Sequence, residues 1–472
     1  MIQIENVSFS YKEQEETLHH VNLEIKKGEC ILLCGESGCG KTTVTKLING
    51  LIPHFTEDAV LQGNVKVDNL LVAETETYEL AKHIGSVFQN PKSQFFNLDT
   101  DSELTFGLEN DGVAPEVMKE RIEETVQSLG IQNLLQRNVF SISGGEKQTL
   151  AFASVYAMKP AIYVLDEPSA NLDVEATEKL RQQIRLLKEQ GNTIVIAEHR
   201  LYFLADLVDR AVYFQNGKIE QIFSGEEFRK LEEKKRQEMG LRELTKTKLV
   251  LPEARGAESS EGNGFTVENL DCGYGKEPSV LQNLSFAALP GEVLAITGAN
   301  GAGKTTLTRC LCGLLKERSG KFSLNGQSLK AKQRQKKCFL VMQDVNHQLF
   351  YDSVWNECEQ AGDGNAEQIE EILQKFDLLD FKERHPMALS GGQKQRLAVA
   401  TALLSGKEIL MFDEPTSGLD YRHMQEVGQV IRELAEQGKI VIVVSHDQEF
   451  MQTACDRILV VGNGERSEQL RL

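Results

Sequence analysis

The chain repeats itself, and the repeat limits what it can fold into. Ile4-Glu5-Asn6-Val7 through Tyr11 recurs as Val267-Glu268-Asn269-Leu270 through Tyr274, 263 residues later. Gly35-Glu36-Ser37-Gly38-Cys39-Gly40-Lys41-Thr42 recurs as Gly298-Ala299-Asn300-Gly301-Ala302-Gly303-Lys304-Thr305 at the same offset. Gln89 recurs as Gln343 at an offset of 254. Ser143-Gly144-Gly145, Asp166-Glu167 and His199 recur as Ser390-Gly391-Gly392, Asp413-Glu414 and His446 at 247. The offset falls from 263 to 247, so the second copy is 16 residues shorter, all of it lost between the glycine-rich loop and the Ser-Gly-Gly motif. Such register means two copies of one folding unit. They span 1–225 and 264–472, joined by the charged stretch 226–263. Within the join, 226–246 reads as a solvated helix and 252–264 as a flexible linker.

The composition is 40% hydrophobic and 26% charged, which leaves ample material for two cores. The net charge of −18 argues against a chain that works by coating nucleic-acid phosphates. No apolar run approaches the roughly 18 residues that cross a bilayer. The N-terminus lacks a basic-then-apolar secretory pattern. The nine cysteines include no CxxC pair and are expected as reduced core thiols.

Gly-x4-Gly-Lys-Thr is a phosphate-binding loop. Both copies follow an apolar strand-like run, Cys30 to Cys34 and Val293 to Thr297, and lead into helix-compatible sequence from Thr43 and Thr306. Glycines free the backbone N–H groups to wrap phosphate oxygens, and the helix start adds a favourable dipole. Lys41 and Lys304 then reach the β/γ-phosphates, and Thr42 and Thr305 offer hydroxyls to Mg²⁺. Cys39 lies in the first loop beside Lys41, where the second copy has Ala302; it reads as a small tolerated residue, the alternative being a thiol whose pKa this setting lowers. A second apolar run ends in Asp166-Glu167, and its counterpart in Asp413-Glu414. Strands of α/β folds deliver chemistry at their C-terminal ends. The first carboxylate suits the Mg²⁺ shell and the second can polarise a water. His199 and His446 each follow 33 residues after the first aspartate, fitting a γ-phosphate contact.

Ser143-Gly144-Gly145-Glu146 and Ser390-Gly391-Gly392-Gln393 complete the set. Together these motifs make both halves resemble a tandem ATP-binding cassette ATPase. The resemblance implies an α/β fold of two P-loop NTPase cassettes. Each would have an α/β core and a helical subdomain, and the two would lie head to tail as an intramolecular dimer. It implies ATP and Mg²⁺ as cofactors, shared between two composite sites. One uses Lys41, Thr42, Gln89, Asp166, Glu167 and His199 with Ser390, Gly392 and Gln393. The other uses Lys304, Thr305, Gln343, Asp413, Glu414 and His446 with Ser143, Gly145 and Glu146. The implied Mg²⁺ ligands are Thr42, Gln89 and Asp166, and Thr305, Gln343 and Asp413. The implied catalytic residues are Glu167, Glu414, His199 and His446. Tyr11 and Tyr274 match the aromatic that stacks on adenine. Asn171-Leu172-Asp173 and Gly418-Leu419-Asp420 match the loop that communicates between sites. No catalytic residue is missing, so two competent sites are expected. Glu146 stands where the second copy has Gln393, and Thr149 where it has Arg396. A carboxylate near a triphosphate is unfavourable, so the site completed by Ser143 to Glu146 is expected to be slower.

The segment after Gln89, Asn90-Pro91-Lys92-Ser93-Gln94-Phe95-Phe96, resembles the energy-coupling-factor branch of importers for vitamins, vitamin precursors and metal ions. Gln94, Phe95 and Phe96 align with Gln348, Leu349 and Phe350 at the 254 offset, and apolar residues retained there suggest a docking patch. The implied partners are integral membrane subunits, a transmembrane coupling subunit and a substrate-binding subunit. Nucleic acid is not an expected partner. One chain per transporter is implied, peripheral at the cytoplasmic face of the cell membrane. Two other readings fit the same motifs: a tandem-cassette sugar or nucleoside importer, and a ribosome-associated translation factor. The acidic balance disfavours the second.

Overall fold

The computed structural model of the chain describes residues 1–11, 17–56, 59–170, 172–246, 264–275, 277–362, 364–462 and 468–471. It divides into two compact units, Met1–Lys246 and Thr247–Leu472.

In the first unit, Cys30–Gly35 is buried along its whole length, the pattern of a strand covered on both faces. It lies between Thr193–Ala197 and Arg210–Gln215 in a six-stranded sheet. Its partners there, and the further strands Ile162–Asp166 and Ile84–Val87, run parallel to it; only the edge strand Lys218–Ser224 is antiparallel. Parallel alignment brings Gly35, Asp166, Gln89 and His199 to one edge, because each ends or follows a strand of the same direction. A second, four-stranded antiparallel sheet carries Ile2–Ser10 between Leu18–Ile25 and Val60–Val67. Its apolar face closes one core with Val44, Leu47 and Ile48 of the helix Lys41–Ile48. A separate small core, around Leu104, Val126, Leu134 and Leu150, holds together the helices Thr100–Asn110, Pro115–Leu129 and Gly144–Met158. This is the expected helical subdomain.

The second unit repeats the plan. Val293–Thr297 lies between Ile440–Val444 and Arg457–Val460 in a six-stranded sheet, and Phe265–Cys272 is central to a four-stranded antiparallel one. The helices Val354–Ala361, Ala366–Lys375 and Gly391–Leu404 correspond to the helical subdomain, and the core they share is continuous with the sheet.

The charged stretch 226–246 differs from the expected solvated helix. It forms two short helices, Gly225–Arg229 and Glu233–Glu238, and belongs to the first compact unit. Phe228, Met239 and Leu241 are buried in that unit's core. A Cβ on Gly240 would stand 2.8 Å from Cγ of Glu36, so the segment lies against the first phosphate loop. Most of its charges line the outside, while sparse apolar residues at no single helical period face inward; Arg236 and Arg242 are also buried, Arg236 Nη1 donating to Leu241 O at 2.7 Å. The expected flexible part, 252–263, lies outside the described residues. All nine cysteines are buried free thiols, as expected. No helix among the described residues is long and apolar enough to cross a membrane.

Candidate functional site

Each phosphate loop is a tight turn between a buried strand and a helix. Gly35 has φ 142°, and a Cβ there would sit 2.2 Å from the carbonyl oxygen of Phe214; Gly298 repeats this at φ 153° and 2.1 Å from Val461. Only glycine fits either place. Gly40 and Gly303 begin the helices Lys41–Ile48 and Lys304–Leu311 with no side-chain cap. The first N–H groups are thus left to an anion. Lys41 is buried, and its Nζ donates to the carbonyls of Gly35 (3.0 Å) and Glu36 (2.8 Å) and to Cys39 Sγ (3.6 Å). Lys304 donates to Gly298 and Ala299 at 2.8 and 2.9 Å. Each ammonium group is folded over its own loop, within reach of an anion held there. Ser37, Gly38, Thr43, Asn300, Gly301, Ala302 and Thr306 complete these two turns and helix starts.

The acid pairs stand beside the loops. Thr42 Oγ1 donates to Asp166 Oδ1 at 3.0 Å, and Thr305 Oγ1 to Asp413 Oδ2 at 3.2 Å. Burial, then the neighbouring charge of Glu167, pushes the Asp166 carboxyl up to about 7; burial raises Asp413 as well. A buried carboxylate facing a second one is the electrostatic setting that a divalent cation stabilises.

Glu167 and Glu414 have left-handed backbone, φ 44° and 52°. Their N–H groups donate to Ala197 and Val444, the neighbouring strand ends, at 2.8 and 2.9 Å. The bend turns each glutamate away from its aspartate. Gln89 Nε2 donates to Glu167 Oε2 at 2.7 Å, and His199 Nε2 lies 3.4 Å from Oε1. In the second unit His446 Nε2 lies 3.5 Å from Glu414 Oε1, and its N–H donates to Oε2 at 3.3 Å. Gln343 is exposed and is not joined to Glu414 by a described contact. So within each unit the fold gathers lysine, threonine, aspartate, glutamate and histidine, and in the first also the glutamine.

Tyr274 is 41% exposed and its hydroxyl accepts from Thr306 Oγ1 at 3.4 Å, beside the second loop. Tyr11 packs edge-on against Phe9 at 4.7 Å between ring centres. Ser143 and Ser390 cap the helices Gly144–Met158 and Gly391–Leu404 in matching capping boxes. Glu146 Oε2 accepts from Ser143 N at 2.7 Å, as Gln393 Oε1 does from Ser390 N at 2.9 Å. Glu146 Oε1 also pairs with Arg137 Nη1 at 2.5 Å. Burial raises its pKa, but the Ser143 and Arg137 bonds outweigh that and hold it below the ordinary glutamate value. The charge that the sequence reading set against a triphosphate is therefore matched by a guanidinium. Asp173 and Asp420 cap the helices Val174–Glu189 and Tyr421–Glu436. Asn171 lies outside the described residues.

The six residues expected at the docking patch divide into three pairs. Gln94 bridges Ser86 O (3.0 Å) and Phe88 N (3.4 Å), and Gln348 accepts from Met342 N at 3.0 Å, so both glutamines brace their own loops. Leu349 is buried and Phe95 half-buried in the helical cores. Phe96 and Phe350 point outward, 73% and 77% exposed. The sequence reading missed what holds them. Buried Glu103 accepts from Phe96 N (3.1 Å) and Asn97 N (2.9 Å), and buried Glu357 from Phe350 N and Tyr351 N (both 2.9 Å). The two glutamates share the 254 offset, a signal already in the sequence. A second omission is Glu198, fully enclosed, which accepts from Ser169, His199 and Arg200 backbone N–H groups at 2.9–3.1 Å. It fixes the backbone at His199; the second copy has Ser445 there.

Comparison with known proteins agrees with this geometry. The ABC transporter family, ABC_tran, matches residues 18–170 and 281–417. A Treponema denticola protein provisionally described as an ABC transporter ATP-binding protein is 48% identical, over 100% of this chain and 97% of its own length. A Bacillus subtilis protein, provisionally named HMP/thiamine import ATP-binding protein YkoD, is 33% identical over 98% of this chain and 90% of its own. Among solved structures, ribosome-bound archaeal Pelota and ABCE1 matches with TM-score 0.68 at 23% identity, covering 99% of this chain and 78% of that one, a likeness of fold alone. Two matched cassettes and full-length relatives at this identity place the chain in the ABC transporter family, as a tandem ATP-binding protein with ATPase activity.

Proposed function

We propose that the chain is the ATP-hydrolysing motor of a membrane importer of energy-coupling-factor type, taking up a vitamin, a vitamin precursor or a metal ion. The observation that carries the partner assignment is the pair of outward phenylalanines, Phe96 and Phe350, each held out by a buried glutamate on the loop after Gln89 or Gln343. Such loops fit helices of integral membrane subunits at the cytoplasmic face. The substrate class is supported by the B. subtilis relative named for HMP/thiamine import.

In this reading Lys41 and Lys304 exchange their loop carbonyls for β/γ-phosphate oxygens. The donor set Thr42, Gln89 and Asp166, like Thr305, Gln343 and Asp413, is all oxygen and fits Mg²⁺. An ion held there would offset the negative charge of the phosphate groups. Glu167 and Glu414 orient and polarise the attacking water, while His199 and His446 hold the γ-phosphate side. Ser143, Gly145 and Glu146, like Ser390, Gly392 and Gln393, stand at helix starts whose N–H groups suit a γ-phosphate, and one chain supplies both sets within one transporter.

Deleting the gene and measuring uptake of labelled thiamine, its pyrimidine precursor, cobalt and nickel tests the proposal. Uptake of one of these should fall and return with the wild-type chain but not with Glu167→Gln/Glu414→Gln. Unchanged uptake together with ATP-dependent co-sedimentation with ribosomes would overturn it.

A further inference from the structure

In the second unit the start of the helix Tyr421–Glu436 meets the turn after the helix Ala366–Lys375, and three metal-ligating side chains converge there. Ligand atoms of Asp377, His423 and Glu426 all lie within 4.8 Å of one another. His423 and Glu426 are three residues apart and share a helix face. The His423 side chain is only 10% exposed, and its Nδ1 lies 2.7 Å from Oδ2 of Asp420, which is fully buried. A carboxylate on one imidazole nitrogen fixes the tautomer and leaves Nε2 as the lone-pair donor, the arrangement found behind metal-bound histidines.

Two further observations point to a ligand. Oε2 of Glu426 is shut off from solvent with no hydrogen-bond partner, which is costly for a carboxylate oxygen that binds nothing. Asp377 also takes a left-handed conformation, φ 52°, where the first unit uses Gly130 at φ 61°. Glycine is the low-strain residue for that turn, and aspartate keeps the bend while adding an oxygen. The first copy has Ala176 and Lys179 at the two helix positions, so it offers none of the three ligands.

The cluster is now held by arginine. Arg422 Nη2 lies 3.0 Å from Asp377 Oδ2, and its Nε 3.0 Å from Glu426 Oε1. Its side chain is 54% exposed and has room to swing into solvent. Arg396 is buried and fixed, its Nε donating to Phe376 O at 2.8 Å, and its charge also faces Glu426, Asp377 and Asp420.

We propose that Asp377, His423 and Glu426 form a binding site for a divalent transition-metal ion of the Zn²⁺ or Co²⁺ class, which enters by displacing Arg422. One imidazole nitrogen and two carboxylate oxygens, with further positions open to water, suit these ions better than Mg²⁺ or Ca²⁺. Asp420 both caps the helix and orients His423, so a bound ion ties the turn at Asp377 to the loop 418–420.

Titration of the nucleotide-free, Mg²⁺-free full chain with Co²⁺ alone, followed by visible absorption, tests the site. One Co²⁺ per chain should bind with a visible band. His423→Ala should abolish that band. Asp377→Gly, which supplies the residue the turn prefers and so keeps the fold, should weaken binding by about tenfold or more. Arg422→Ala should tighten it, because the competing charge is gone. Binding that survives His423→Ala, or that Arg422→Ala leaves unchanged or weakens, overturns the proposal. These readouts do not use ATPase activity or transport, so they stand apart from the importer reading.

Discussion

A non-glycine residue at φ 44° or 52° costs of order 1–3 kcal/mol unless its surroundings hold it there. Glu167 and Glu414 both carry that strain, and both are held by a hydrogen bond to the adjacent strand end. The strained bend separates two adjacent carboxylates, one toward the threonine and one toward histidine. On the proposed mechanism, Glu167→Gln lowers ATP turnover by about a hundredfold or more while the thermal melt stays close to wild type. If the Glu146 carboxylate slows the site it serves despite its Arg137 partner, Glu414→Gln costs less than Glu167→Gln; equal losses measured by steady-state ATPase assay would sink that asymmetry. Arg137 refines the argument. It balances Glu146, so Arg137→Ala exposes the carboxylate and should raise KM for ATP about two- to fivefold, a change of about 0.5–1 kcal/mol for a partly exposed pair. The double variant Arg137→Ala/Glu146→Gln should return KM toward wild type. If the double variant is as impaired as the single, repulsion is not the cause.

At the scale of elements, the two units reach similar loops with different supports. In the second, Arg334 of the helix Ala331–Lys337 is fully buried against the Phe322 ring, 3.7 Å from its centre. Glu317 meets it at 2.6 Å. Burial raises the Glu317 pKa, but the Arg334 bonds and charge more than offset this, leaving the carboxyl below its ordinary value of 4.5. A depressed acid stabilises the fold above its unfolded pKa and loses that contribution as pH falls through the folded one. Glu317→Gln should therefore destabilise the second unit by about 3 kcal/mol at neutral pH, since it strands a buried guanidinium. Denaturant melts should show wild type and variant converging below about pH 4.5; a pH-independent difference would exclude the ion pair as its source. The loop supports invite a separate comparison. Glu357→Ala removes the acceptor of two backbone N–H groups and should cost about 1–3 kcal/mol. Phe350→Ser, on an exposed ring, should stay within about 0.5 kcal/mol of wild type yet weaken association with membrane subunits, as Phe96→Ser should in the first unit.

Across the whole molecule, what was legible in the sequence was whatever depends on fixed spacing. Phosphate loops, acid pairs and histidines sit at strand ends, and backbone geometry allows little variation in the residues between strand and site. Glu103 and Glu357 are marked by the 254 offset, but their role was not legible, because a side chain reaching back to backbone N–H groups has no residue pattern of its own. The end of the first unit escaped for another reason. Its last stretch is dominated by Glu, Lys and Arg, so its average reads as solvated, while burial is decided by three residues, Phe228, Met239 and Leu241. That difference can be measured. A fragment ending at 225, where the repeat suggests a boundary, lacks all three, and one ending at 246 keeps them. Burying each such side chain contributes about 1.5–3 kcal/mol, so the shorter fragment should lose about 5 kcal/mol, most or all of the stability of a typical domain. The longer fragment should unfold cooperatively in urea, and the shorter should be unfolded or aggregated. Gly240 adds a functional arm, because its segment lies against Glu36 of the phosphate loop. In the full chain, Gly240→Val places a branched side chain against that glutamate and strains a left-handed backbone position, φ 66°, so it should raise KM for ATP and also lower the urea midpoint. If both fragments unfold at the same urea concentration and Gly240→Val leaves KM unchanged, the stretch 226–246 is the tether that its charge suggests.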